Sequence, residues 1–313
     1  MKYPVNMNLP SDTSDYSENR NSGSCAPEMA DFCAAKKSSQ LITVTVNDDV
    51  PIAIRLFSDE ASLTPVIMLH GLQSHSEWFS QSARFISRLG HPVYSMDRRG
   101  SGLSSAPRGD IKRFDQMIDD IRIVQQYVRK KHGTDKIHLF GHCFGAIPAL
   151  ATACRYPDGI LSLVLTSPGV FTYTDLSLRS KVLVMASRLS SRNPYIPVPL
   201  QPEDFTDIPG YQVFIAHDPL ALREATARFW FAIHEMRDYI KSRKEKLALP
   251  IFAAFAARDR VSKTSENYGF LCRLPSPAKW FMTYEQSLHI LEFGEDRDIF
   301  FRDLELWLKR WHQ

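Results

Sequence analysis

The sequence predicts an α/β fold: a mostly parallel central sheet flanked by helices, with a helical segment inserted as a cap. Three observations lead there. Short, continuous apolar runs alternate with stretches of helical spacing. Continuous runs suit strands buried on both faces, and alternation of strand and helix suits a parallel sheet covered on both sides. One stretch of about 80 residues breaks the rhythm, too long for an ordinary loop.

In chain order, LITVTV (41–46) alternates, NDD supplies turn residues, and VPIAIRLF (50–57) follows, which reads as a β-hairpin. PVIMLHG (65–71) and HPVYSM (91–96) are buried strands, and SEWFSQSARFISRLG between them has helical spacing with a glycine stop. Phe114, Met117, Ile118, Ile121, Val124 and Val128 form one helical stripe. KIHLFGH (136–142) is a strand and AIPALATACRY a helix. ILSLVLTSP (160–168), LPIFAAFAA (249–257) and KWFMTY (279–284) are further strands. A last helix carries Phe300, Leu304, Trp307, Leu308 and Trp311 on one face. Residues 170–246, with the proline cluster NPYIPVPLQP and the helix-like ALREATARFWFAIHEM, are the inserted cap.

The domain reading is therefore a core of residues 40–169 and 247–313 with the cap between. Residues 1–39, rich in Ser, Asn, Asp, Pro and Gly, are expected to be a mobile tail.

Apolar residues make up 44% of the 313, and the net charge is +3. So small a charge gives no reason to propose nucleic acid or anionic membrane as a partner. No apolar run approaches the roughly 18 residues of a membrane span, and the first residues lack the apolar core of a signal peptide. A cytoplasmic location is expected. The five cysteines are odd in number and irregular in spacing, so each is expected to be a free thiol. Nothing calls for a metal or an organic cofactor.

The chemistry concentrates in FGHCFGA (140–146). Its G-x-C-x-G spacing, between strand and helix, matches the sharp turn that lifts a nucleophile above a sheet. Small residues, Gly141 and Gly145, let the turn pack. A helix N-terminus at Cys143 favours negative charge, hence thiolate. Three further segments close strands: HGL (70–72), MDRRGSGLS (96–104) and AARDRVS (256–262), the last placing Asp259 on a loop. SLHILEF (287–293) places His289 after the final strand. Nucleophile, acid and histidine come in that order along the chain. The plain alternatives are a core cysteine, a loop carboxylate paired with Arg258 or Arg260, and a surface histidine.

Together HGLQSH, DRRGSGLS, GHCFGA, LVLTSPGV, AHDPLALR and the Asp259 and His289 regions resemble the α/β-hydrolases, within them the monoacylglycerol lipase and serine-aminopeptidase-like group. The resemblance spans roughly residues 45–312. It implies a catalytic triad of Cys143, His289 and Asp259, and an oxyanion hole from the backbone N–H groups of Leu72 and Phe144. It also makes His70 and His142 structural, His70 bracing the oxyanion loop. Phe229, Trp230 and Phe231 fall in the cap helix, where packing is the commoner role and a pocket wall the rarer one.

The departure is the apex, where this group carries serine and this chain Cys143. Cysteine stands there in dienelactone hydrolases, polyhydroxyalkanoate synthases and certain acyl shuttles of peptide-antibiotic assembly. A cysteine gives a thioester acyl-enzyme, which reacts better with amines and thiols than with water. Acyl transfer or thioesterase activity is the leading expectation, on an acyl ester or a thioester such as an acyl-carrier or coenzyme A conjugate. A carboxylester or lipid hydrolase with cysteine replacing serine is the second reading, and a non-catalytic ligand-binding protein of the same fold the third.

Overall fold

The computed structural model describes residues 27–60, 62–173, 176–187 and 192–311. The predicted hairpin is present as β1 (Gln40–Thr45) and β2 (Pro51–Phe57), paired antiparallel. Asp48 and Asp49 take positive φ (63° and 54°) in the turn between them, a conformation acidic and amide residues tolerate best among those with a side chain. The remaining strands of the main sheet are β3 (Val66–Leu69), β4 (Val93–Met96), β5 (Ile137–His142), β6 (Ile160–Thr166), β9 (Ile251–Ala256) and β10 (Lys279–Tyr284). Their order is β1-β2-β4-β3-β5-β6-β9-β10, parallel from β4 to β10. The five strands from β4 to β9 are buried at every position, which is why they read as unbroken apolar runs rather than as alternation.

Helices α2 (Ser80–Arg88), α3 (Asp115–His132), α4 (Ala146–Arg155), α8 (Thr264–Cys272) and α9 (Arg297–Arg310) connect and cover these strands. Helix α3 turns its stripe of Met117, Ile118, Ile121, Val124 and Val128 inward and stops at Gly133, which has φ 59°.

The inserted segment holds α5 (Leu178–Ser187), α6 (Pro209–His217) and α7 (Ala227–Ser242). It also holds a two-stranded ribbon, β7 (Tyr195–Pro197) with β8 (Glu224–Thr226), which the sequence did not show. Strands of three residues are too short to develop a period. The ribbon also moves the start of the expected cap helix from Ala221 to Ala227, where Thr226 caps it by accepting from the Phe229 N–H at 3.2 Å.

Two expectations change at the N-terminal side. The expected tail over 1–39 is structured from residue 27: a turn at Pro27–Met29 leads into α1 (Ala30–Lys37). One aromatic side chain decides this. Phe32 is buried among Tyr211, Phe214 and Phe293, and Lys36 pairs with Glu77 at 2.6 Å. The rest of that expectation, residues 1–26, lies outside the described residues. Cys33 is disulfide-bonded, whereas Cys143, Cys154 and Cys272 are free thiols. An odd count argues against a framework of bridges, but a single bridge requires only two thiols within reach of each other. Among the described residues no helix is long and apolar enough to cross a membrane.

Candidate active site

Cys143 stands directly after β5, at the head of a tight turn into α4, with φ 51°. A side chain in that region is strained and persists only where the surroundings dictate it. Here they do. A Cβ on Gly141 would lie 2.6 Å from the Gly145 carbonyl oxygen, and one on Gly145 only 2.2 Å from that of Leu69. The turn is thus pressed onto β3 through two positions that admit only hydrogen.

The structure brings the three predicted side chains together. His289 Nδ1 lies 2.9 Å from both Asp259 oxygens. Asp259 is fixed in turn, because its Oδ1 accepts the N–H groups of Val261 and Ser262, each at 2.8 Å. The carbonyl of His289 accepts from Ser167 Oγ at 2.7 Å. Ser167, at the end of β6, has φ 42°. These contacts hold the imidazole, with Nε2 buried and making no full hydrogen bond. The group acting on that side is Cys143. Such contacts are often loose before substrate arrives. Burial alone would drive the imidazole neutral. The Asp259 carboxylate and a Cys143 thiolate outweigh it and push the His289 pKa up to about 10.

The loop expected to supply an oxyanion donor is held by a residue the sequence did not single out. Arg98, in the glycine-rich turn after β4, donates through Nη1 to the Gly71 carbonyl at 2.7 Å and through Nη2 to the Leu72 carbonyl. In a trans peptide the C=O and N–H point opposite ways. Anchoring the Gly71 carbonyl therefore sets the direction of the Leu72 N–H. The loop runs beside the thiol: a Cβ on Gly71 would sit 3.5 Å from Cys143 Cβ. Phe144, the second expected donor, follows Cys143 in the turn. The Arg98 guanidinium lies over the rings of Phe144 and Phe229, 5.2 and 5.6 Å from their centroids. Burial brings its pKa down to about 9, against the opposing charges of Asp97 and Cys143. No sequence signal distinguishes such an arginine from one solvated on a turn.

The histidines expected to be structural make structural contacts. His70 Nδ1 bonds the Gly71 carbonyl at 2.8 Å, and its Nε2 accepts the Arg98 N–H at 3.1 Å. His142 is tied to Thr166 Oγ1 at 3.0 Å. Of the cap aromatics, Phe229 reaches the site, its ring 5.9 Å from that of Phe144. Trp230 packs against both the main core and the small cluster of Val184, Ile196 and Ala227, and Phe231 against that small cluster.

The cap is fastened by Asp218, within the AHDPLALR segment. Its carboxylate takes His75 Nε2 at 2.7 Å and Trp78 Nε1 at 2.6 Å, all buried. Although burial opposes it, those bonds hold Asp218 well below the usual carboxylate range.

A sheet of this order, a strained turn after β5, an acid loop after β9 and a histidine loop after β10 define an α/β-hydrolase. The chain belongs to the family described as serine aminopeptidase, S33, whose model matches residues 62–296. Among curated relatives, a monoacylglycerol lipase of Mycolicibacterium smegmatis is 22% identical over 248 residues, covering 78% of this chain and 87% of its own. Human monoglyceride lipase is 24% identical over 254 residues, covering 78% and 82%. Among solved structures, a soluble variant of monoglyceride lipase from Saccharomyces cerevisiae, in complex with a substrate analog, superposes with a TM-score of 0.75 at 16% identity. That likeness covers 88% of this chain and 95% of the other.

Proposed function

We propose that the protein is an acyl-transfer enzyme that works through a covalent acyl-Cys143 thioester. The observation that carries this reading is the His289 imidazole, locked to Asp259 at 2.9 Å and interacting with Cys143 at the apex of the strained turn. In the first step the Cys143 thiolate attacks the acyl carbonyl carbon. A C–S bond forms, and the oxyanion is held by the N–H groups of Leu72 and Phe144. The bond to the leaving oxygen or sulfur breaks, and His289 supplies its proton. An amine, thiol or water then attacks the thioester, gives its proton to His289 and restores the thiolate.

The cation favoured at His289 suits the charged state that the imidazole takes on when it receives a proton in each half-reaction. A hydrolase acting on carboxylesters or monoacylglycerols is the second reading, favoured by the monoacylglycerol lipases aligned over 78% of the chain. Intact-mass spectrometry after incubation with acyl thioesters separates the two. Acyl transfer gives an adduct that persists in water and is discharged by amines; hydrolysis gives fast loss in water alone. An adduct that survives in Cys143→Ala sinks both.

A further inference from the structure

Two guanidinium groups hold loops that border Cys143, and one of them has no task in the chemistry above. Arg237, on α7, reaches down from the cap to the loop that follows β6. Its Nη2 donates to the Gly169 carbonyl at 3.0 Å and lies 3.5 Å from Thr172 Oγ1. The Gly169 N–H donates in turn to the Cys143 carbonyl at 2.9 Å, so the guanidinium sits two hydrogen bonds from the apex residue. Its Nε is buried and without a hydrogen bond. Among the described residues neither Arg237 nor Arg98 makes an ion pair with a carboxylate.

The nearby acids are already committed. Asp97 accepts from the Ser76 and Leu103 N–H groups, Asp120 holds Arg99, and Asp259 holds His289. A largely buried arginine with no carboxylate partner is a costly arrangement.

We propose that Arg237 is an anion subsite beside Cys143 that binds a carboxylate carried by the acyl group or by the acceptor. The proposal rests on the acyl-Cys143 reading for its role in turnover. A carboxylate there supplies the missing counter-charge and takes up the idle Nε donor, with Arg98 adding to the positive field. Arginine suits this because its planar fork matches a carboxylate. Arg237 is thus a specificity-determining residue, selecting short dicarboxylic half-thioesters over neutral chains, or amino acids over neutral amines.

The test compares wild type with Arg237→Gln and Arg237→Lys in two arms. In the loading arm, succinyl, glutaryl and adipoyl thioesters of N-acetylcysteamine are set against butanoyl, pentanoyl and hexanoyl thioesters, with adduct formation followed by intact mass. In the release arm, hexanoyl-enzyme is discharged by glycine or by glycinamide. A carboxylate preference of about tenfold, the worth of one charge-assisted hydrogen bond, is expected in one arm. It falls to near parity in Arg237→Gln and is partly kept in Arg237→Lys. The loading arm assigns the anion to the acyl group, the release arm to the acceptor. Ratios that are the same in wild type and Arg237→Gln in both arms overturn the subsite and leave Arg237 as a strut for the Gly169 loop. Absence of any adduct defeats the acyl-Cys143 reading instead. The subsite is then decided by calorimetry on Cys143→Ala, with monoethyl adipate against diethyl adipate. Binding of the monoester that is lost on adding Arg237→Gln supports it, and binding indifferent to Arg237 overturns it.

Discussion

At the scale of single residues, the site depends on backbone groups aimed by side chains far away in sequence. Arg98 illustrates this. It holds two carbonyls of the loop that supplies the Leu72 N–H, so under the proposed acyl-Cys143 chemistry its contribution is positional. Replacement by methionine keeps the stem and removes both bonds. The acylation rate should fall about 10- to 100-fold, toward the cost of losing an oxyanion donor. Stopped-flow measurement with saturating thioester checks this: the loss should appear in the maximal rate and not in the half-saturating concentration. Lysine at the same place should recover little, since one ammonium cannot serve both carbonyls at that spacing.

At the scale of elements, the sheet positions Cys143, Asp259 and His289, while the cap packs onto it through side chains such as Ile215, Phe229 and Met236 that share the main core. Asp218 adds a buried polar joint between cap and core. Alanine there would leave the buried Nε groups of His75 and Trp78 without an acceptor. That should cost about 2–3 kcal/mol, the penalty for unpaired buried donors, read as a lowered urea midpoint. Because the contact ties cap to core, amide exchange should rise first in α6, ahead of β5 and β6. Helix α1 is a second such joint. Its only deeply inserted aromatic, Phe32, packs beside Phe214 of α6 and so links the N-terminal segment to the cap. A lone aromatic in a polar, proline-bearing segment carries no period, which is why residues 27–39 read as tail.

At the scale of the molecule, buried ionisable groups set how stability responds to pH. Glu292 is wholly buried, with one carboxyl oxygen bonded by Ser82 Oγ and the other unpartnered. Burial, against the Ser82 bond, pushes its pKa up from 4.5 to about 8. Between those values the unfolded chain has released this proton and the folded chain keeps it, so stability falls as pH rises. The melting temperature should therefore decline from pH 5 to pH 8. Glu292→Gln should flatten that decline. A melting curve unchanged by that substitution would contradict the neutral carboxyl.

What the sequence determined alone was whatever depends on local pattern. Strands buried on both faces announce themselves as apolar runs, and the elbow as glycines at fixed spacing, since both constraints act between residues adjacent in the chain. From these came the sheet, the Cys143 turn and the order of Cys143, Asp259 and His289. Tertiary structure decided what depends on meetings across the chain. Examples are Arg98 on the Leu72 loop, Asp218 beneath the cap, Phe32 among distant rings, and Arg237 above Gly169. Charges and carbonyls carry no periodicity, and only folding shows which of them are left without water or a partner.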